Sequence, residues 1–105
     1  MIKCIRSVMF LFHCGKAEER ASVKSCTGWV MYPVRLRKNR VYSFSFDVSL
    51  SEGCAEAVLI KKRQHIKLGA GSDAVTLEVN ENSWAFVRWN FKAASGECTL
   101  HRNSK

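Results

Sequence analysis

The side chains best suited to bind a ligand alternate along one predicted strand near the end of the chain. One face of residues 84–92 is continuously apolar and should point to a core: Ala85, Val87, Trp89 and Phe91. The other face carries two aromatic rings, a cation and an amide: Trp84, Phe86, Arg88 and Asn90. Aromatic rings stack on sugar or base faces, while Arg and Asn hydrogen-bond their rims. We therefore predict a ligand-binding face there, to which Ser45 and Asp47 add polar groups if residues 43–49 share the sheet. The alternative is that the two rings cover an edge or pack under the N-terminal segment.

Positive charge is concentrated in two short runs of the chain. Lys and Arg number 17 against 9 Asp and Glu, a net charge of +8. One run is Arg35, Arg37, Lys38 and Arg40, and the other is Lys61, Lys62, Arg63 and, further on, Lys67. Such a field attracts nucleic acid, acidic glycans, anionic lipid or an acidic protein surface. We predict anion binding at Arg35, Arg37, Lys38, Arg40, Lys61, Lys62 and Arg63, the alternative being a solvated surface that keeps the protein soluble.

Catalytic motifs are missing from the sequence. His13, His65 and His101 are scattered and fit no metal-ligand spacing. Cys98 and His101, three positions apart on a strand, should point to opposite faces. There is no G-x-S-x-G and no P-loop, and the glycines of residues 69–71 lack the rest of either nucleotide fingerprint, so they predict a loop. We expect no enzymatic activity, no metal and no cofactor.

Neither the cysteines nor the first residues decide the compartment. Five cysteines cannot all pair within one chain, and none shares a C-x-x-C spacing with another: Cys4, Cys14, Cys26, Cys54 and Cys98. We expect the cysteines to be small, buried hydrophobic residues, and the alternative is that they form one or two disulfides. Residues 1–14 join a basic start to an apolar stretch, as in a secretory signal, but bulky Phe12 and His13 favour a buried strand. Secreted and cytoplasmic locations both stay open.

Short strands separated by turn signals run along most of the chain. The clearest is residues 41–50, where Tyr42, Phe44, Phe46, Val48 and Leu50 alternate with Ser43, Ser45, Asp47 and Ser49. Further strands are predicted within residues 2–12, 28–32, 54–61, 66–68, 75–79, 84–92 and 97–101. Turns are predicted at residues 51–53, 62–64, 69–73, 80–83 (as a hairpin) and 93–96. Residues 16–21 predict a helical turn or a polar loop, and Pro33 a strand edge or end.

Length, composition and strand spacing together predict one all-β domain over residues 1–105. The 105 residues are 47% apolar and 25% charged, which is ordinary for a single globular domain. No apolar run reaches the roughly 18 residues of a membrane span. About six to eight short strands with little helical periodicity predict an antiparallel β-sandwich of the jelly-roll or immunoglobulin-like type.

Two stretches also carry a family resemblance. Residues 40–48 (RVYSFSFDV) look like the strand that opens many bacterial non-catalytic β-sandwich modules. Residues 84–89 (WAFVRW), followed by residues 94–100 (ASGECTL), are similar to the closing hairpin of those modules, which include jelly-roll carbohydrate-binding modules and secreted accessory domains. The resemblance spans residues 40–101 and implies a fold more than a function. The chain departs from the group in its basic charge and in having no Asp and Asn cluster suited to their structural calcium.

These observations predict a non-catalytic ligand-binding module, with carbohydrate as the leading ligand, that uses the exposed face of residues 84–90. The first alternative is a basic nucleic-acid-binding protein, in which the two basic runs contact phosphate and Trp84, Phe86 or Tyr32 stacks on bases. The second alternative is a protein–protein interaction or assembly subunit, in which Trp84 and Phe86 form a homodimer seam.

Overall fold

The computed structural model describes residues 2–15, 18–68 and 75–104, which form seven β-strands and no helix. The strands are β1 (Ile2–Arg6), β2 (Met9–Cys14), β3 (Glu18–Leu36), β4 (Arg40–Lys61), β5 (Gln64–Leu68), β6 (Val75–Val79) and β7 (Ser83–Ser104). All pairings are antiparallel and belong to one sheet of order β1-β3-β7-β4-β5, with β2 also on β3 and β6 also on β4. The prediction of an all-β, antiparallel protein is confirmed. Within these residues no helix has the length and apolarity to cross a membrane.

Three of the strands are much longer than predicted, and in two of them an expected turn is a bend inside the strand. β3 has 19 residues, and β4 and β7 have 22 each. At residues 51–53 and 93–96 the chain does not reverse, since β4 and β7 stay paired on both sides with register shifts between Leu50 and Cys54. β3 shifts register between Val23 and Gly28. Residues 84–101 are therefore one bent strand, and the prediction of a closing hairpin there is wrong.

The bends are built from left-handed backbone and from hydroxyl groups. Positive φ angles occur at Ser25 (49°), Gly53 (73°) and Ala93 (47°). A β-carbon on Gly53 would collide with the carbonyl oxygen of Ala93, so this position requires glycine. The Ser95 hydroxyl accepts a hydrogen bond from the Ser25 N–H (3.0 Å), and the Thr27 hydroxyl accepts one from the Ala93 N–H (3.1 Å). Small polar residues that usually mark turns here satisfy the backbone of bulged strands.

The bends divide the sheet into two halves whose inner faces meet. The β2–β6 half contains β2, β6 and residues 18–24, 40–50 and 96–104 of the long strands. The β1–β5 half contains β1, β5 and residues 27–36, 54–61 and 83–92. The ring of Trp89, in the β1–β5 half, lies 5.0 Å from that of Phe46 and 5.3 Å from that of Phe12, both in the other half. The core therefore lies between the halves, centred on Trp89.

Alternation along β4 and β7 places the apolar residues as predicted, with one exception. Ala85, Val87 and Trp89 are fully buried, and so are Phe44 and, nearly, Phe46. Val48, predicted to face the core, is 44% exposed. The Val48 side chain does point inward, but it lines a cleft between the halves together with Phe46 and is not covered there.

The N-terminal segment forms strands but is not buried as predicted. Ile2, Val8 and Leu11 are exposed, while Phe10 and Phe12 pack against the core. β1 and β2 each pair with β3 alone among the described strands, so they are edge strands with one covered side. Residues 18–21, predicted with residues 16–17 as a helical turn or polar loop, belong to β3. Residues 16–17 and the loop predicted at 69–73 lie outside the described residues.

The remaining turn predictions have mixed outcomes. A tight turn at residues 62–63 connects β4 to β5, with Lys61 opposite Gln64. The hairpin predicted at residues 80–83 is wrong, because β6 pairs with β4 while β7 pairs with β3 and β4. Pro33 lies inside β3 opposite Phe86, beyond the described pairs of β1, so the strand has a local edge there as predicted.

Candidate ligand-binding face

The four predicted ligand-binding residues lie together on the outer side of the β1–β5 half. Trp84 is 59% exposed and Phe86 42% exposed, while Arg88 and Asn90 are half-buried. The residues that alternate with them on β7 are buried in the core. The two exposed rings therefore do not pack under the N-terminal segment, which was one part of the alternative interpretation.

Neighbouring strands extend this surface with residues that the sequence did not single out. Pro33 and Ile60 flank Phe86, Met31 and Val58 flank Arg88, Trp29 and Glu56 flank Asn90, and Arg35 lies opposite Trp84. Directly opposed side chains in antiparallel strands are in contact range. The surface formed by Trp29, Met31, Pro33, Val58, Ile60, Trp84, Phe86, Arg88 and Asn90 is called the aromatic face. In the sequence, residues 28–32 form one apolar run, which does not indicate which side chains point outward. Only the alternation that continues to residue 36 would have indicated that Trp29 and Met31 lie on the outer side.

Arg88 is held in a fixed position on the aromatic face. Its guanidinium carbon lies 4.9 Å from the centroid of the Trp29 ring, a cation–π distance. Its Nε donates to the Asn90 side-chain oxygen at 3.0 Å. No other side-chain partner of Arg88 occurs in the part of the chain that is described, so its terminal nitrogens can donate to a ligand. The fixed guanidinium lowers the entropy cost of binding.

The cleft lined by Phe46 and Val48 extends to the Asn90 end of the aromatic face. It has a volume of about 480 Å³, within the usual range of small-molecule sites, and its lining includes Glu56, Lys67, Asn90 and Lys92. The Lys67 ammonium lies 3.7 Å from the Glu56 carboxylate, both groups being well exposed. This end of the face therefore offers hydrogen-bond acceptors and donors next to an apolar wall.

The two basic runs meet at the opposite end of the aromatic face. The turns at residues 37–39, 62–63 and 80–82 touch one another: the Lys38 N–H donates to Asn82 (2.9 Å), and the Lys62 ammonium lies 3.2 Å from Glu81. The seven residues predicted to bind anions lie at or beside these turns: Arg35, Arg37, Lys38, Arg40, Lys61, Lys62 and Arg63. Because Arg35 is opposite Trp84, this basic end continues directly from the aromatic face.

Ser45 and Asp47 do not contribute to the aromatic face. They lie on the β2–β6 half, opposite His101 and Thr99. The His101 Nε2 is 3.2 Å from Asp47, and its Nδ1 is 3.7 Å from Glu18. Cys98, buried behind His101, points to the opposite face as predicted. Over the residues that the structure describes, no three His, Cys, Asp or Glu side chains are grouped to hold a metal.

All five cysteines are free thiols, in two different environments. Cys26 and Cys98 are buried, as predicted, whereas Cys4, Cys14 and Cys54 are exposed, so the prediction of buried hydrophobes is wrong for these three. The exposed cysteines lie on or near the edges of the sheet. Burial raises the pKa of Cys98 to about 11 and also raises that of Cys26. Both buried thiols therefore stay protonated and weakly reactive at neutral pH.

No protein-family model, curated protein or solved structure matches this chain. What it binds must therefore be argued from its own residues. The aromatic face supplies stacking surface, an oriented guanidinium and amide or carboxylate acceptors, and the basic end supplies clustered cations. Such a combination suits a flat, polar ligand held without covalent chemistry.

Proposed function

We propose that this protein is a non-catalytic module that binds a glycan on its aromatic face. The observation that carries the proposal is the exposure of Trp84 and Phe86, two residues apart on a strand whose other side is buried. Adjacent outward positions on a strand are about 7 Å apart. The two rings thus offer a stacking surface that extends along the strand, which suits a chain of sugar rings.

The polar groups around the rings favour hydroxylated ligands over bases. Sugar hydroxyls both donate and accept, so they need acceptors as well as donors on the protein. Arg88 supplies an oriented donor, while Glu56 and Lys67 bring an acceptor and a further donor beside Asn90. A carboxylate at this position suits sugar hydroxyls and disfavours a phosphate backbone.

We further infer that the bent sheet is a two-layer β-sandwich of the jelly-roll kind, the two halves being its layers. The ring contacts of Trp89 with Phe12 and Phe46 across the two halves support this arrangement. So does the resemblance of residues 40–48 to the opening strand of bacterial β-sandwich modules. In such a fold the aromatic face is an outer layer surface, open to a long ligand.

Nucleic acid is the second candidate ligand, because of the basic end. Seven cations from both runs converge beside Trp84, where a strand of nucleic acid could place phosphates on the turns and a base on the ring. The single acid that pairs with them in the described structure is Glu81. Under this proposal the basic end, and not Arg88 and Asn90, supplies most of the affinity.

A glycan array with matched variants tests the first proposal. Trp84→Ala should abolish binding to the glycans that the wild type retains, with a nearly unchanged melting temperature. Leu11→Ala is the control, because Leu11 is 61% exposed on the other half and its loss should change neither quantity. Unchanged binding in Trp84→Ala would overturn the proposal, and a large loss of stability would place Trp84 in a structural role.

Salt dependence and mass separate the alternatives. Nucleic-acid binding predicts affinity that falls by roughly 0.7 log units per tenfold salt for each phosphate neutralised on a single strand, and that Arg37→Glu with Arg63→Glu abolishes it. Glycan binding predicts a shallow salt response and little effect of the same charge reversals. A homodimer seam would instead give a mass that rises with concentration in sedimentation and falls to the monomer in Trp84→Ala.

A further inference from the structure

A second cleft lies between the two halves, on the inner side of the sheet, and shares only Pro33 with the aromatic face. It has a volume of about 370 Å³ and is lined by Phe12, Cys14, Glu19, Tyr32, Pro33 and Arg102, with Gly15 at its rim. None of these residues is among those predicted to bind a glycan or anions, and Tyr32 alone is named above, as a base-stacking candidate for nucleic acid. The topology creates the cleft, because β2 and the first residues of β3 face the middle of β3 across the bend.

Three polar atoms of the cleft residues are buried without a hydrogen-bond partner in the described residues. They are Glu19 Oε2, Arg102 Nε and the Tyr32 hydroxyl. The side chain of Glu19 is only 4% exposed, and its Oε1 lies 2.7 Å from Arg102 Nη2. Native proteins pair nearly all buried polar groups with protein, water or ligand. Three such atoms around one cleft therefore indicate that something polar completes it.

Aromatic rings form the apolar wall of the same cleft. The Phe12 and Tyr32 ring centroids are 5.8 Å apart, and Trp89 packs behind both, at 5.3 Å from Phe12 and 6.4 Å from Tyr32. The Trp89 indole N–H approaches the Tyr32 hydroxyl but does not meet hydrogen-bond geometry. The hydroxyl thus remains free to donate to or accept from a guest.

We propose that this cleft binds a small, neutral, polyhydroxylated molecule, such as one sugar ring or a linear polyol. The Glu19–Arg102 pair is already neutral as a unit, so a charged guest would gain no net attraction from it. Its free oxygen accepts and its free Nε donates, and neighbouring hydroxyls on one guest can satisfy both at once. The C–H surface of a sugar ring packs on Phe12 and Tyr32, whose rings give the guest an apolar floor.

This inference does not rest on the proposed function, because the two sites share only Pro33 and the polar groups of the cleft lie on the inner side of the sheet. Trp29→Phe with Trp84→Phe makes the two sites separable. The chain has three tryptophans, so this variant keeps Trp89 as its only indole and lacks both indoles of the aromatic face. Fluorescence changes on adding a ligand then report on the cleft.

The experiment titrates this single-tryptophan protein with neutral monosaccharides and polyols. A guest of this size should saturate the Trp89 signal with a dissociation constant in the millimolar range. Tyr32→Phe keeps the ring and removes only the hydroxyl, so it should weaken binding about tenfold. Tyr42→Phe is the matched control: its hydroxyl accepts a hydrogen bond from the Arg37 N–H at 2.8 Å and does not line the cleft, so binding should persist.

Three results would overturn the inference. The first is a signal that no sugar or polyol saturates, and the second is equal binding in Tyr32→Phe. The third is a preference for zwitterionic amino acids over every neutral polyol. If Tyr32→Phe lowers the melting temperature while no guest binds, ordered water alone completes the cleft, which also contradicts a ligand site.

Discussion

The outer surfaces of the two halves are made by the same three long strands, yet they differ sharply. On the β2–β6 half the central outward residues are hydroxyls and charges: Ser43, Ser45, Asp47, Thr99, His101, Arg20 and Ser22. On the β1–β5 half the corresponding residues are mostly aromatic or aliphatic, with Arg88 and Asn90 among them. The exposed apolar side chains of the β2–β6 half are Met9 and Leu11, on its edge strand β2, and Val48, which lines the cleft between the halves.

This difference separates what the fold requires from what a ligand requires. The inner faces of both halves are mainly apolar, because both bury the shared core around Trp89. The polar half shows that the outer side of these strands needs no aromatic residues to form the sheet. Exposing Trp84 and Phe86 keeps apolar surface in water at a free-energy cost, and a bound partner would offset it.

The largest expected effect compares the two sides of β7. Trp89→Ala removes the ring on which both halves pack and should destabilise the protein by about 3–5 kcal/mol, enough to unfold a marginal domain. Trp84→Ala, five residues earlier on the outer side, should cost less than about 1 kcal/mol. Chemical denaturation of both variants measures the difference. Similar losses in the two would mean that the aromatic face is structural.

The second prediction concerns the bend that separates the halves. Gly53→Ala forces a β-carbon against the Ala93 carbonyl in left-handed backbone and should destabilise by about 1–3 kcal/mol. Ser51→Ala is the neighbouring control, since it loses only a hydroxyl that donates to the Ser95 carbonyl at 3.2 Å. Thermal unfolding should show a clearly larger loss for Gly53→Ala. Equal melting temperatures would show that the strands can straighten there.

The third prediction tests whether Arg88 binds a ligand or only keeps the outer surface of the β1–β5 half soluble in water. Arg88→Lys keeps the charge but loses the planar group that lies on Trp29 and donates to Asn90, so glycan affinity should fall about tenfold with little change in stability. Arg20→Lys on the polar half, where Arg20 pairs with Glu18 on the surface, is the control and should bind normally. Isothermal titration with an array-selected glycan measures both, and equal affinities would remove Arg88 from the site.

The smallest effect is a pH dependence in the cleft. Burial raises the pKa of Glu19 above its usual range, although Arg102 beside it acts in the opposite direction. A carboxyl whose pKa is higher in the folded than in the unfolded state makes the protein less stable as pH rises from the unfolded-state pKa through the folded-state pKa. Glu19→Gln lacks this titration, so its stability relative to the wild type should increase as pH rises from the ordinary carboxyl range through the higher folded-state pKa of Glu19. Melting curves of both proteins over that interval test the sign, and a relative gain by the wild type would show that the ion pair dominates.

The alternating segments were predictable, and the long-range arrangement was not. The two-residue period placed Trp84, Phe86 and Arg88 outside and Trp89 inside, because one buried face fixes which side each residue takes. The bends could not be distinguished from turns, since glycine and serine favour both. Strand order depends on contacts between distant segments, so the sequence could not show that Trp29 supports Arg88 or that the two basic runs meet.

The cleft was invisible in the sequence for the same reason. Glu19 and Arg102 are more than eighty positions apart, and each alone reads as an ordinary surface charge. Only the pairing of β3 with β7 brings them together, while the bend brings Tyr32 over them. Local patterns thus predict faces, whereas sites assembled across a sheet require the register.

Hydrogen exchange of the three indole N–H groups, followed by NMR, tests most directly whether the aromatic face is open and used. In the free protein the Trp84 indole should exchange rapidly and the Trp89 indole slowly, and a glycan selected on an array should shift the Trp84 signal. Slow exchange at Trp84 in the free monomer, or a bound glycan that leaves its signal unmoved, would contradict the account.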